Sequence, residues 1–237
     1  MFTLLQRLWS YFFRHIPTEC IVCWKTWQYL CSTHRKWLLW YPSDCYICQT
    51  PTQNNMMCIE HHSPPFQWVI IGFYYTRIVK HMIHIAKYIG SYHVLSLFAQ
   101  QLCYSLYANM YINKAILAWT CCITFVPMYA FKEKFQRWFN QSQKLASYIS
   151  EIMRIPCIPL LSKNTYTISQ IKKMRSGRIK QDSSLYSCYS NTIVSWMTIL
   201  LVDDVMTTWT TLLAVANVLH QAYPTCQIWW VCIARNK

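Results

Sequence analysis

The sequence predicts an α/β fold in which a mostly parallel β-sheet is flanked by helices and preceded by a small metal-binding module. Near the carboxyl terminus, a strand candidate at 198–202, a helix candidate at 210–222 and a strand candidate at 226–234 follow one another. Near the amino terminus, cysteines and histidines occur in closely spaced pairs. The chain has 237 residues, which is long enough to bury a substantial core.

The central part of the chain predicts further helices and a strand. Segments 78–90 and 94–107 carry apolar residues at helical spacing, after the aromatic stretch 73–75. Segment 119–126 is apolar and predicts a strand that Pro127 closes. The pattern over 141–153 indicates a helix that Pro156 ends.

Between these elements and the carboxyl-terminal unit, the pattern changes. Segment 157–161 predicts a short strand. Segment 162–184 is polar and basic and has no apolar periodicity, so we expect a long loop. Loops of that length often serve as functional lids.

The chain is strongly basic, with 22 Lys and Arg against 8 Asp and Glu and a formal net charge of +14. Eleven of the basic residues lie between Lys132 and Lys180, where only Glu133 and Glu151 oppose them. Such a surplus favours phosphate-rich partners, either a pyrophosphorylated donor or a nucleic acid. The alternative is an ordinary solvated basic surface.

No secretory signal or membrane span is expected. Residues 1–16 are partly apolar, but Arg7, Arg14 and His15 interrupt them and no small-residue cleavage site follows. No stretch approaches the roughly 18 consecutive apolar residues of a spanning helix. We expect a docking helix at 1–16, with a membrane-contacting amphipathic helix as the alternative, and a cytoplasmic protein.

Paired cysteines and histidines predict a zinc-binding module within residues 1–65. The pairs, each with two intervening residues, are Cys20 and Cys23, Cys31 and His34, Cys45 and Cys48, and Cys58 and His61. This spacing lets two ligands of one knuckle reach a tetrahedral ion, so eight ligands fit two structural zinc ions. Sequential allocation is simplest, while crossed pairing and His62 in place of His61 stay open. Disulfide-bonded or buried cysteines are the alternative, but the placement favours metal in a reducing compartment.

The remaining cysteines have a different environment. They lie mostly in apolar segments, which predicts small core residues, and no histidine is placed by sequence to activate one as a nucleophile. They are Cys103, Cys121, Cys122, Cys157, Cys188, Cys226 and Cys232.

The most informative motif spans residues 199–211. A run of strand-forming residues ends in Asp203 and Asp204, a hydroxyl-rich turn follows, and a helix begins. A strand, a tight loop and a helix N-terminus present backbone N–H groups to a phosphate. The threonine hydroxyls can add donors, and carboxylates at the strand's carboxyl end can accept from ribose hydroxyls. The alternative is an acidic turn followed by a threonine N-cap.

This motif resembles the ribose-phosphate loop of the type I phosphoribosyltransferases, which has two acids, a short spacer and Thr-Thr-Gly-x-Thr. With a paired-cysteine module before it, the chain resembles the ComF family of competence proteins from Cys20 onward. Further matches are Lys87-Tyr88, Val126-Pro127 at a strand end, the run Arg137-Trp138-Phe139-Asn140-Gln141 against the family's Arg-Gly-Phe-Asn-Gln, and Gln170 eight residues before Arg178. His34 and His61 stand where the family usually has cysteine.

The resemblance implies a phosphoribosyltransferase-like domain at 66–237 that binds phosphoribosyl pyrophosphate. Asp203 and Asp204 would hold the ribose as the catalytic pair, and Mg²⁺ would bridge the donor's pyrophosphate and hydroxyls. The residues that would bind the 5′-phosphate and the leaving pyrophosphate are Thr207, Thr208, Trp209, Thr210, Thr211, Arg137 and Arg178. The position of a basic aspartate in some purine-salvage relatives holds threonine here, so the residues identify no general base and no acceptor.

In the cell, the resemblance implies action on incoming single-stranded DNA during natural transformation, with competence helicase or processing proteins as partners. The rival hypothesis is a non-catalytic, zinc-dependent adaptor that grips single-stranded nucleic acid with its zinc knuckles and basic loops. Phe139 and Tyr166 would then stack on bases, or else serve in the core.

Tryptophan stands at four positions where the family has glycine, namely Trp24, Trp138, Trp196 and Trp209. The chain has only 3 glycines but 12 tryptophans, and together they approach the roughly 7% glycine of ordinary proteins. A phosphate-binding turn needs positive φ or a bare backbone, and an indole offers neither. We hypothesise that UGA codons specify glycine in the native host. A degenerate, inactive copy or chance substitutions are the alternatives.

Overall fold

The computed structural model of the chain describes residues 20, 31, 33, 50–51, 68–89, 92–108, 120–128, 139–164, 185–189, 198–206 and 209–235. The elements in chain order are strand β1 (Trp68–Tyr74), helix α1 (Arg77–His84), a π-helical turn (Ile85–Ile89), helix α2 (Tyr92–Ala108), strand β2 (Thr120–Phe125), helix α3 (Gln141–Met153), strands β3 (Leu161–Lys163), β4 (Tyr186–Cys188) and β5 (Thr198–Met206), helix α4 (Trp209–Ala222) and strand β6 (Gln227–Arg235).

The prediction of an α/β fold with a parallel sheet flanked by helices is confirmed. Strands β1, β6, β5 and β2 form a four-stranded sheet in that order, and every neighbouring pair is parallel. Strands β3 and β4 form a separate antiparallel pair. Because all four strands of the main sheet run the same way, their carboxyl ends meet at one edge, where α/β proteins bind ligands.

The sheet is buried on both faces, which explains why its strands are continuously apolar. Side chains alternate between the faces, as Trp229 and Trp230 in β6 illustrate. Trp229 lies in the cluster formed with α1, α2 and α3, and Trp230 lies in the opposite cluster, formed with α4, β3 and β4. Both indoles are only 1% exposed, so these two tryptophans fit the core as large apolar side chains.

Gly72 in β1 packs tightly against Leu102 of helix α2 and the backbone of β6. A Cβ atom at this position would lie 2.6 Å from Leu102 Cδ2 and 3.0 Å from the backbone oxygen of Ile233. Leu102 is fully buried, so it has little room to withdraw. The absence of a side chain at residue 72 is therefore a packing requirement.

We expect Gly72→Ala to lower the free energy of unfolding by about 1–3 kcal/mol, because an added methyl group overpacks this contact. Chemical denaturation measures the change. The double variant Gly72→Ala/Leu102→Ala removes the side chain that the new methyl meets. Its free energy of unfolding should exceed the value expected if the two losses simply added, and strict additivity would contradict the packing argument.

Several predicted boundaries are confirmed closely. The helix predicted over 141–153 is α3 with the same bounds, and the helices predicted at 78–90 and 94–107 correspond to α1 with the π-helical turn and to α2. The short strand predicted at 157–161 is wrong. Cys157 makes only an isolated bridge to Ile123, and the strand is β3, whose partner β4 lies in a segment where no strand was predicted.

Four of the seven cysteines predicted as core residues are buried, namely Cys103, Cys122, Cys226 and Cys232. Cys157 and Cys188 are half-buried, and the side chain of Cys121 lies outside the described part of the chain. Burial raises the pKa of the Cys103 thiol to about 12, so it stays protonated at neutral pH and is a poor nucleophile. Within the described ranges, no helix is both long and apolar enough to cross a membrane.

Candidate functional site

The two adjacent carboxylates lie inside strand β5. The sequence predicted that the strand ends at residue 202, but β5 continues to Met206. The reason is that β6 offers a pairing partner along this whole length, with Val205 opposite Ala234 and Met206 opposite Arg235. Val205 and Met206 are buried, so the extension also adds apolar burial at the carboxyl edge of the sheet.

Asp203 uses one of its two oxygens to connect β5 to helix α3. Its Oδ1 accepts a hydrogen bond of 2.9 Å from Ser142 Oγ and one of 2.8 Å from the backbone N–H of Asp204. Among the described residues, none donates to Asp203 Oδ2. The side chain is therefore fixed in orientation while one oxygen keeps its acceptor capacity.

Asp204 is paired with a cation from another part of the chain. Lys87 Nζ lies 2.7 Å from Asp204 Oδ2, and the two side chains are only 18% and 15% exposed. Asp204 Oδ1 accepts from the backbone N–H of Val205 at 2.6 Å. Lys87 belongs to the π-helical turn between α1 and α2, a local distortion that often accompanies functional sites.

The environment of Asp203 favours its protonated form. Burial and the neighbouring charge of Asp204 raise the pKa of Asp203 from its ordinary value of 3.8 to about 7. The hydrogen bond from Ser142 and the charge of Lys87 oppose that rise. Two adjacent carboxyl groups are thus held differently, one opposite an ammonium group and one able to exchange a proton near neutral pH.

Helix α3 is positioned by Asn140, its N-cap residue. Asn140 Oδ1 accepts from the backbone N–H groups of Ser142 and Gln143, and its Nδ2 donates to the Val126 carbonyl at 3.1 Å. This side chain therefore ties the start of α3 to the end of β2 and brings Ser142 to Asp203. The next residue, Gln141, has a buried Nε2 without an acceptor among the described residues, which makes it a candidate ligand contact.

Three of the seven residues predicted to bind the 5′-phosphate or the pyrophosphate fall at the start of helix α4. Trp209 and Thr210 are its first residues, and their side chains lie outside the described part of the chain. Thr211 is partly buried in the first turn. Thr207, Thr208, Arg137 and Arg178 lie outside the described residues. The connection between β5 and α4 is only two residues long, so the helix begins close in the chain to the two carboxylates.

The sequence did not predict Ser142 as a site residue. It singled out Lys87 only because Lys87-Tyr88 matches a dipeptide of the ComF family. Both act on carboxylates distant in the chain, since Ser142 and Asp203 are 61 residues apart. The one local signal for Ser142 was its place just after an asparagine at the start of a predicted helix.

Two of the eight predicted zinc ligands lie among the described residues. Cys20 is buried in the cluster with α1, α2 and α3, and Cys31 packs against the same cluster. The other six, Cys23, His34, Cys45, Cys48, Cys58 and His61, lie outside the described residues. Within the described ranges, no three His, Cys, Asp or Glu side chains are grouped to hold a metal ion.

No protein-family model matches the chain, and a comparison with curated proteins finds no match. The resemblance to the ComF family therefore rests on the motifs, and the argument for a function rests on the geometry of the carboxylate pair.

Proposed function

We propose that the chain is a ComF-like protein with a type I phosphoribosyltransferase-like fold, which binds phosphoribosyl pyrophosphate at the carboxyl ends of β2 and β5. One observation carries this proposal. Two adjacent carboxyl groups, Asp203 and Asp204, lie near the carboxyl end of a strand in a parallel sheet, and helix α4 begins five positions after Asp204, at Trp209. This order of elements supports the proposal, because carboxylates suit ribose hydroxyls and the N–H groups of a helix N-terminus suit a phosphate.

The two carboxyl groups would bind the ribose hydroxyls in different ways. Asp203 Oδ2 accepts from one hydroxyl, or donates to it when protonated, since the pKa of Asp203 is raised to about 7. Asp204 accepts from the second hydroxyl with the oxygen that Lys87 also holds. Ser142 keeps Asp203 in a single orientation. This arrangement orients the ribose before any reaction, which is how binding sites accelerate group transfer.

The first turn of α4 would bind the 5′-phosphate, with hydroxyl donors from Thr207, Thr208, Thr210 and Thr211. Arg137 and Arg178 would neutralise the pyrophosphate. In the transfer, the bond between ribose C1′ and the pyrophosphate oxygen breaks, its electron pair leaves with pyrophosphate, and an acceptor atom bonds to C1′. Mg²⁺ would accompany the donor and offset the charge of its pyrophosphate.

The same proposal assigns two structural zinc ions to residues 1–65 and places the protein in the cytoplasm, acting on single-stranded DNA during natural transformation. Support comes from the thiolate and imidazole donors at paired spacing, which suit zinc, and from the net charge of +14, which suits polyanions. Cys20 and Cys31 pack against the domain core, so metal binding would also stabilise that contact.

The identity of residue 209 provides the test. Helix α4 begins at Trp209, where the family has the glycine of its phosphate loop. We expect the chain with Trp209 to bind phosphoribosyl pyrophosphate with Mg²⁺ weakly, and Trp209→Gly to bind it at least about tenfold more tightly. Isothermal titration calorimetry measures both affinities. The double variant Trp209→Gly/Asp204→Asn should lose the affinity for phosphoribosyl pyrophosphate that Trp209→Gly gains. Tight binding by the Trp209 chain would contradict the need for a bare backbone at position 209, and no binding by Trp209→Gly would contradict the proposal that this site takes phosphoribosyl pyrophosphate.

Peptide mass spectrometry of the protein from its native host tests the recoding hypothesis directly. Glycine at position 209 would support UGA recoding and an intact phosphate loop. Tryptophan there would favour the adaptor hypothesis. That hypothesis also predicts salt-dependent binding of single-stranded DNA that Asp203→Asn and Asp204→Asn leave unchanged.

A further inference from the structure

A pocket of about 290 Å³ lies between the first turns of α2 and α3. It is lined by Tyr92, Phe139, Asn140, Gln143, Lys144 and Ser147. Neither Asp203 nor Asp204 contributes to it, so it is distinct from the carboxylate pair. Its volume is near the lower end of the range for small-molecule sites, which suits one compact ligand.

The pocket holds a lysine placed between two aromatic rings. Lys144 Nζ lies 5.4 Å from the ring centroid of Tyr92 and 4.6 Å from that of Tyr148. Among the described residues, no carboxylate lies within 4.0 Å of this ammonium group. The acid two turns further along α3, Glu151, instead accepts a 3.4 Å hydrogen bond from Ser147 Oγ. A half-buried cation is thus held in place by ring faces, and no carboxylate in the described part of the chain neutralises its charge.

One wall of the pocket is aromatic. The rings of Tyr92 and Phe139 pack with their centroids 4.9 Å apart and their planes tilted by 55°. Because they contact one another, no ligand ring fits between them, but Tyr92 is 42% exposed as a residue, so a ligand can reach part of it. Gln143 is exposed at the rim and can donate to or accept from the edge of a planar ligand.

We propose that this pocket binds an anionic mononucleotide, with the base on the Tyr92 ring and the phosphate on the Lys144 ammonium group. A partly exposed tyrosine suits a planar base, an ammonium group that no described carboxylate neutralises suits a phosphate, and the amide of Gln143 suits the base edge. The proposal does not depend on phosphoribosyl pyrophosphate binding, since the two sites share no residue assigned to a ligand.

Adenosine 5′-monophosphate is the probe for the first experiment, with adenosine and inorganic phosphate as its two parts. Binding is measured by calorimetry on the full chain. We expect the mononucleotide to bind more tightly than either part. Lys144→Met should weaken that binding at least roughly tenfold, because it removes the charge-assisted contact to the phosphate. Tyr92→Leu should weaken adenosine as well as the mononucleotide.

Matched controls come from exposed residues outside the pocket. Lys80→Met in α1 and Tyr104→Leu in α2 change the same side-chain types and should leave mononucleotide binding unchanged. Lys144→Arg should keep most of the affinity, and circular dichroism checks that each variant is folded. Equal loss in Lys80→Met and Lys144→Met would overturn the proposal. So would inorganic phosphate binding as tightly as the mononucleotide, or a lower melting temperature of Lys144→Met with unchanged binding.

Discussion

Lys87→Met is expected to lower the free energy of unfolding by about 2–4 kcal/mol, because it leaves a largely buried carboxylate without its cation. Lys87 Nζ and Asp204 Oδ2 are 2.7 Å apart, and both side chains are mostly shielded from water. Methionine keeps most of the length and apolar character of the lysine stem. The expected loss of unfolding free energy therefore comes from removing the charge and not from creating a cavity. The same substitution removes a positive charge that lowers the pKa of Asp203, so that carboxyl group should hold its proton to higher pH.

The pair can be isolated with a double-mutant cycle. Asp204→Asn alone removes the partner charge, and Lys87→Met/Asp204→Asn removes both charges, so the double variant should be more stable than the sum of the single losses implies. Lys80→Met, an exposed lysine in the neighbouring helix, should change stability by less than about 0.5 kcal/mol. Urea denaturation provides all four values. A Lys87→Met loss no larger than that of Lys80→Met would show that the ion pair does not hold β5 to the π-helical turn.

Lys87 and Asp204 are far apart in the chain, and contacts of this kind explain why the sequence predicted the fold better than the site. The unit of β5, α4 and β6 was predictable because buried parallel strands and an apolar helix leave local patterns of residue type. The extension of β5 beyond Val202 was not, since it depends on pairing with β6 along its length. Strands β3 and β4, each of three residues, are too short for a pattern to be recognised.

The site itself depends on contacts between distant segments. Asp203 and Asp204 stood out because two adjacent acids interrupt an apolar run. Nothing in the local sequence of Lys87 or Ser142 indicates that each lies against one of these acids. The helix cap formed by Asn140 was predictable only in part. Its place before a helix was predictable, whereas its hydrogen bond to the Val126 carbonyl required the sheet.

Trp229, Trp230 and Trp209 fall into two groups, those buried in the core and the one at the start of helix α4. Trp229 and Trp230 occupy opposite faces of β6 and are enclosed by the two cores, where their rings add apolar surface. Trp209 is the first residue of helix α4, three positions after the last residue of β5, where the proposed phosphate-binding turn would need a bare backbone. If UGA specifies glycine in the native host, the recoding matters most at position 209.

Asp203→Asn is expected to remove a large part of the pH dependence of stability. The pKa of Asp203 is about 7 in the folded chain, above its ordinary value of 3.8, so the folded state binds this proton more tightly than the unfolded state. The contribution of Asp203 to the free energy of unfolding is therefore largest below about pH 4, and it is lost as the pH rises through about 7. The loss amounts to at most about 4 kcal/mol, since each unit of pKa difference corresponds to about 1.4 kcal/mol.

The asparagine side chain keeps an oxygen that can accept from Ser142 and from the Asp204 N–H, but it cannot ionise. Urea denaturation of both chains from about pH 5 to about pH 8 should show the variant gaining stability relative to the parent as the pH rises. Contributions of other groups that are the same in both chains cancel in the difference. A difference that stays constant across the window would mean that Asp203 is already ionised at pH 5. A difference that grows would establish a carboxyl group that exchanges its proton near neutral pH, beside an Asp204 paired with Lys87. Such a pair can both donate to and accept from the two hydroxyls of a ribose, which two ionised carboxylates cannot do.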